Sequence, residues 1–109
     1  MKKASVLPDM TDEEIKSRIL EGDQKTFERV FATLYNWIYA KSFRILRNRQ
    51  NSEEVCSEIF FKVWQKIEKW NPDKGSMNAW INAVAQNTII DAIRRNNKKR
   101  TQEPRDEVS

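Results

Sequence analysis

Histidine is absent from this chain, and cysteine occurs once, at Cys56. Without histidine, imidazole-based catalytic triads and the usual zinc centres cannot be assembled. A single cysteine excludes an internal disulfide and fits a reducing compartment. Glycine occurs twice and proline three times in 109 residues. Sheet architectures consume turn residues, so this scarcity disfavours them. The two glycines stand 53 positions apart, which leaves no glycine-rich phosphate loop. No apolar run approaches the ~20 residues of a membrane span, and Met1 to Pro8 lacks an apolar stretch of signal-peptide length. Together these absences predict a cytoplasmic, non-enzymatic protein with no membrane association, no metal and no cofactor. The length allows one domain, able to bury roughly 65% of its unfolded surface in a modest core.

What is present is charge and helical periodicity. Charged residues make up 33% of the chain and hydrophobic ones 39%. Residues 1–10 read as a flexible leader. Thr11 followed by Glu14 is a capping box, with Ile15, Ile19 and Leu20 as the apolar side and Gly22 as the stop. Asp23 caps a second helix whose stripe, Phe27, Val30, Phe31, Leu34, Tyr35, Ile38, Tyr39, Phe43 and Leu46, recurs at spacings of three and four. Asn51, with Glu54 at the reciprocal position, caps a third helix whose apolar positions are Val55, Cys56, Ile59, Phe60, Val63, Trp64 and Ile67. This helix stops near Trp70, because Asn71 precedes Pro72. Ser76 caps a fourth, with Met77, Trp80, Ile81, Val84, Ala85, Thr88 and Ala92 on one half and Asn78, Asn82 and Gln86 in a polar line. The expectation is an all-α fold of four helices, with a polar tail from Thr101 onward.

The chemistry-bearing groups favour binding over catalysis. The acid pairs Glu13/Glu14 and Glu53/Glu54 sit at expected helix starts, where negative charge complements the helix dipole. Cys56 lies on an apolar face with no histidine to activate it, so it reads as an inert thiol. On the third helix, Glu54, Ser57, Glu58, Phe61 and Gln65 share one face. Two readings of that face stay open: a solvated face with Phe61 folded against the core edge, or a docking surface with an aromatic anchor.

The loop after the third helix mixes rings with polar edges. Trp70, Met77 and Trp80 surround Asn71, Asp73, Lys74, Ser76 and Asn78, a combination able to hold an unstacked base. The bland alternative, preferred for Trp80, makes the tryptophans core residues that pin the loop. Downstream, Arg94, Arg95, Lys98, Lys99 and Arg100 place five positive charges in seven residues. The chain carries +4 in total, so the remainder is net −1 and the basicity is a local patch, as expected of a polyanion-binding surface.

Three motifs carry a resemblance to a known family. Asn51-Ser-Glu-Glu-Val-Cys-Ser-Glu-Ile-Phe-Phe-Lys-Val-Trp64 resembles the D-A-E-D-V-V-Q-E-V-F-L-R-V-W pattern of the extracytoplasmic-function (ECF) sigma factors of bacterial RNA polymerase. Trp70-Asn-Pro-Asp-Lys-Gly-Ser-Met-Asn-Ala-Trp-Ile81 is similar to that family's F-D-P-E-R-G-S-F-R-A-W-L, and Ala85-Gln-Asn-Thr-Ile-Ile-Asp-Ala-Ile-Arg-Arg95 to its A-R-N-L-A-L-D-A-L-R-R. The resemblance runs collinearly over residues 11–100. It implies a compact four-helix sigma region-2 bundle that recognises and melts the promoter −10 element.

Carried over residue by residue, the resemblance assigns docking on the β′ clamp helices of core RNA polymerase to Glu54, Ser57, Glu58, Phe61 and Gln65. It assigns capture of a flipped −10 base to Asn71, Asp73, Lys74, Gly75, Ser76, Met77 and Asn78. Asn82, Gln86, Arg94 and Arg95 would face −10 DNA, single-stranded once melted, with Lys98, Lys99 and Arg100 on phosphates. An anti-sigma factor is a further partner the family makes available. The family's usual aspartate before proline is Asn71 here, its usual aromatic is Met77, and its usual glutamine is Ser57, which bears on base preference and docking strength. Residues 101–109 correspond to the start of a linker to an absent C-terminal DNA-binding domain. Two other readings stand beside this one: a helical nucleic-acid-binding module without polymerase contact, and a protein-interaction bundle.

Overall fold

The computed structural model describes residues 5–102, with side chains through Lys98. Among them run four helices: α1 (Asp12–Leu20), α2 (Gln24–Leu46), α3 (Arg49–Lys66) and α4 (Met77–Gln102), with a 3-10 turn at Ile67–Lys69 after α3. No described helix is long and apolar enough to cross a membrane. The strongest packing is of α3 between α2 and α4, while α1 lies against α2 and the 3-10 turn. This sandwiching explains why α3 supplies Val55, Cys56, Ile59, Phe60 and Val63 to the core, buried on both of its lateral sides.

The local signals act as their chemistry requires. Thr11 Oγ1 accepts from the Glu14 N–H at 3.1 Å, and Glu14 Oε1 accepts from the Thr11 N–H at 2.8 Å, a reciprocal box. Gly22, at φ 90°, ends α1 in a Schellman arrangement. Its N–H donates to Ile19 and the Asp23 N–H donates to Arg18, at 3.0 and 2.9 Å. Asp23 then caps α2 through the Thr26 N–H and hydroxyl at 3.2 and 2.8 Å. Those two bonds hold its carboxyl below the ordinary carboxylate value.

Several expectations are corrected. The leader is packed in its described part: Val6 and Leu7 are buried in the core, and Asp9 makes a two-pronged ion pair with Arg29 at 2.7 and 3.1 Å. α3 begins at Arg49 rather than after Asn51, because Arg47 turns left-handed at φ 54° and frees the extended Asn48 to cap. Asn48 Oδ1 accepts from the Asn51 N–H at 2.8 Å, so Asn51 is capped rather than capping. Trp64, an apolar position of α3, is 42% exposed, with its ring held edge-on by Phe27 at 4.6 Å between centroids. At the far end, α4 continues through Gln102, past the expected start of the tail, and residues 103–109 lie outside the described chain.

Cys56 is fully buried, and burial pushes its thiol pKa up, as suits an inert packing residue.

Candidate nucleic-acid interface

The loop between α3 and α4 is a small built object. Trp70 is buried, its ring stacked on Trp80 at 5.5 Å, and its indole Nε1 donates to the Gly75 carbonyl at 3.2 Å. Lys16 of α1 donates to the Trp70 carbonyl, tying the loop's root to the neighbouring helix. Above this anchor, Asn71 closes a turn twice over. Its carbonyl accepts from the Lys74 N–H at 3.0 Å, and its side-chain oxygen accepts from the Asp73 N–H at 2.9 Å. Pro72, with its fixed φ, suits the second position of such a turn.

The head of α4 is capped from two sides. Ser76 Oγ accepts from the Ala79 N–H at 3.1 Å, as its sequence position predicts. Asp12 Oδ2, from the first turn of α1, accepts from the Met77 N–H at 2.8 Å. Nothing in the local pattern marks that second cap, since the two residues are 65 positions apart. The other oxygen of Asp12, Oδ1, is buried without a hydrogen-bond partner among the described residues.

The pinned turn stands between two clefts. One, of about 350 Å3, lies against the start of α1 and is lined by Thr11, Asp12, Asp73, Lys74, Gly75 and Ser76, among others. The other, of about 560 Å3, opens toward Asn71, Lys74, Gly75, Ala79 and the stacked tryptophans. A Cβ built on Gly75 meets nothing within 4 Å, so this residue borders open space on the turn. Asn71, Asp73, Lys74, Gly75, Ser76 and Asn78 are all exposed there. Met77 departs from its expected role. Its side chain is fully buried beneath the head of α4, because the i, i+4 step to Ile81 and on to Ala85 points it into the core.

Along α4, Asn82 and Gln86 are exposed, and so are Arg94, Arg95 and Lys98. The side chains of Lys99 and Arg100 lie outside the described residues, though their backbone continues the helix.

The face of α3 singled out by spacing is solvent-facing. Phe61 is 60% exposed rather than folded against the core, and Glu54, Ser57 and Gln65 are exposed around it. Glu58 is half-buried and held by two cations, Lys62 at 3.5 Å and Arg95 of α4 at 3.1 Å.

The family model described as sigma-70 region 2 matches residues 30–99. The chain belongs to that family. Its relatives include the ECF RNA polymerase sigma factor SigK of Mycobacterium tuberculosis H37Rv and that of Mycobacterium bovis BCG, each 30% identical over 77 residues. SigK of Mycobacterium sp. strain KMS is 27% identical over 77 residues. The SigK matches at 30% identity cover 71% of this chain and 41% of the relative, so the chain spans less than half the length of the curated relatives it matches. No solved structure gives a significant match.

In this sigma region-2 domain the structure thus brings the turn, the head of α4 and the polar line into one continuous surface. It leaves Met77 out of that surface and joins the α3 face to it through Glu58 and Arg95. Two residues of this neighbourhood escaped the sequence reading: Asp12, and Trp37 of α2. Trp37 is 45% exposed and borders a cleft with Asn78 and Asn82. The available signal for Trp37 was a large ring off the buried line of Leu34 and Ile38, on the helix's polar side.

Proposed function

We propose that this domain docks on the β′ clamp helices of core RNA polymerase and favours the melted state of a promoter −10 element by trapping an extruded base. The observation that carries the reading is the exposed 71–76 turn, pinned from beneath by Trp70 and flanked by open clefts. A rigid turn with backbone and side-chain polar groups at its rim can hold a base whose unstacking costs a few kcal/mol, and so shift the duplex toward opening. The relatives are themselves named RNA polymerase sigma factors, which supports carrying the reaction over.

The roles follow from chemistry and position. Asn71, Asp73, Lys74, Ser76 and Asn78 offer edges to the captured base, while Gly75 leaves room for it. Asn82 and Gln86 continue along the strand, and Arg94, Arg95, Lys98, Lys99 and Arg100 take phosphates. Phe61, ringed by Glu54, Ser57, Glu58 and Gln65, is the docking anchor for the clamp. The action is binding, with no bond made or broken.

The test is titration of the chain with a β′ clamp-helix fragment. Phe61→Ala should weaken binding by roughly tenfold or more, the usual effect of truncating a central aromatic anchor. Folding should be unaffected, since the ring is mostly in solvent. Unchanged binding would remove the α3 face from the account.

A further inference from the structure

The same α4 surface holds a third cleft, whose α2 side, Leu34 and Trp37, has no role in the function proposed above. It measures about 560 Å3 and is lined by Leu34 and Trp37 of α2 together with Ser76, Asn78, Ala79 and Asn82. That volume lies within the ~300–1,000 Å3 of small-ligand clefts. Leu34 is buried and forms its floor, while the Trp37 ring is 45% exposed beside it. Among the described residues no side-chain hydrogen bond or ring contact engages Trp37, although the other aromatic residues of α2, Phe27, Phe31, Tyr35, Tyr39 and Phe43, each pair with another ring. Asn78 and Asn82 stand one helical turn apart, both exposed, and neither side-chain amide has a hydrogen-bond partner among the described residues.

We propose that Trp37 and Asn82, with Asn78 on the boundary shared with the turn, form a second nucleobase subsite, in which the indole stacks on an unpaired base of single-stranded DNA while the amides read its edge. This deepens the function proposed above and rests on it. The chemistry fits a base better than an apolar side chain. One face of the cleft is a free π surface, which stacks on any base, and the rim carries amide donors and acceptors matched to base edges. Ser76 also lines the cleft against α1, and Ala79 also lines the one beside the stacked tryptophans. A strand whose extruded base sits at the turn therefore passes Trp37 with its neighbouring nucleotide. The local charge agrees, because the cleft's six lining residues include no acid to repel a phosphate.

The experiment is a nitrogen-15 NMR titration of the full chain with single-stranded DNA of roughly 12 nucleotides, within the ~4–16 typical of single-strand sites. The Trp37 indole signal is assigned by its loss in Trp37→Phe. The expected result is that the Trp37 indole and the Asn78 and Asn82 side-chain amides shift together, with one dissociation constant. Trp37→Ala should weaken binding roughly tenfold and Trp37→Phe much less, the pattern of a stacking contact. A single abasic position, scanned along the strand, should cost the wild type the same factor at one register and cost Trp37→Ala nothing further.

Shifts confined to residues 71–76 and to Arg94 and Lys98, with Trp37 silent, would overturn the subsite and leave the proposed function standing. A Trp37 signal that moves with a β′ clamp fragment and not with DNA would reassign the ring to protein contact. No shift anywhere on adding DNA would overturn both readings. The remaining indole signals report whether each variant is folded.

Discussion

Glu58 of α3 and Arg95 of α4 are ion-paired at 3.1 Å, with Lys62 completing the cluster at 3.5 Å from the same carboxylate. One acid thus joins the proposed polymerase-docking face to the proposed DNA-binding helix. In the free domain Arg95 has a partner, whereas no ion pair engages Arg94 or Lys98 among the described residues.

Releasing Arg95 should therefore be visible in DNA affinity. Glu58→Gln is expected to tighten single-stranded DNA binding at low salt by up to about fivefold, the scale of an exposed ion pair. Glu54→Gln removes the same charge from the same face, and among the described residues Glu54 holds no ion pair to break. It should change affinity less, and fluorescence anisotropy titrations of the two variants side by side check this. An equal effect would mean that the pair is irrelevant and only net charge counts.

The Asp12 cap predicts a coupling between α1 and the loop. Asp12→Ala frees the Met77 N–H and should cost about 1 kcal/mol of stability, as loss of a helix N-cap does. Asp12→Asn keeps an acceptor oxygen and should cost less. Denaturant midpoints measure the loss, and amide hydrogen exchange should quicken at Met77 and the preceding turn in Asp12→Ala. If exchange there were unchanged, the contact would not be holding the turn.

The fold was largely legible in the sequence because its signals are local. The Thr11–Glu14 box, Gly22, Asp23 and Ser76 act within a few residues of themselves, and the apolar spacing of α2 and α4 needs no knowledge of partners. What was not legible depends on tertiary placement. Phe31, Phe43 and Trp64 share the apolar spacing of buried neighbours, but they fall at the edges of stripes wider than the helices that cover them. The burial of Val6 and Leu7 requires the core they complete, and the Asn48 cap requires the left-handed turn at Arg47. At the site, the exposed turn and the polar line of α4 were readable from composition. The Asp12 cap, the Glu58–Arg95 pair and the placement of Trp37 join distant parts of the chain, which no spacing rule reports.

The cationic end of α4 should control how binding responds to salt. Each phosphate contact on a single strand contributes a slope of about −0.7 in log affinity against log salt. Replacing Lys98, Lys99 and Arg100 together with alanine should therefore flatten the slope by roughly 2. The choice of base should stay the same, because phosphate contacts carry no sequence information. Asn78→Ala should do the reverse, altering base preference with little change in slope. Titrations across a salt series with a few defined strands separate the two behaviours.

The central claim is that this domain binds DNA by holding a base outside the helix. The most direct measurement compares its affinity for a randomised single strand with that for the same pool as duplex, at one low salt concentration. If extrusion must come out of binding energy only in the duplex, the single strand should be preferred by at least about tenfold. Substituting Asn71, Ser76 and Asn78 with alanine should collapse that preference. Equal or tighter binding to the duplex, unaffected by those substitutions, would contradict the account.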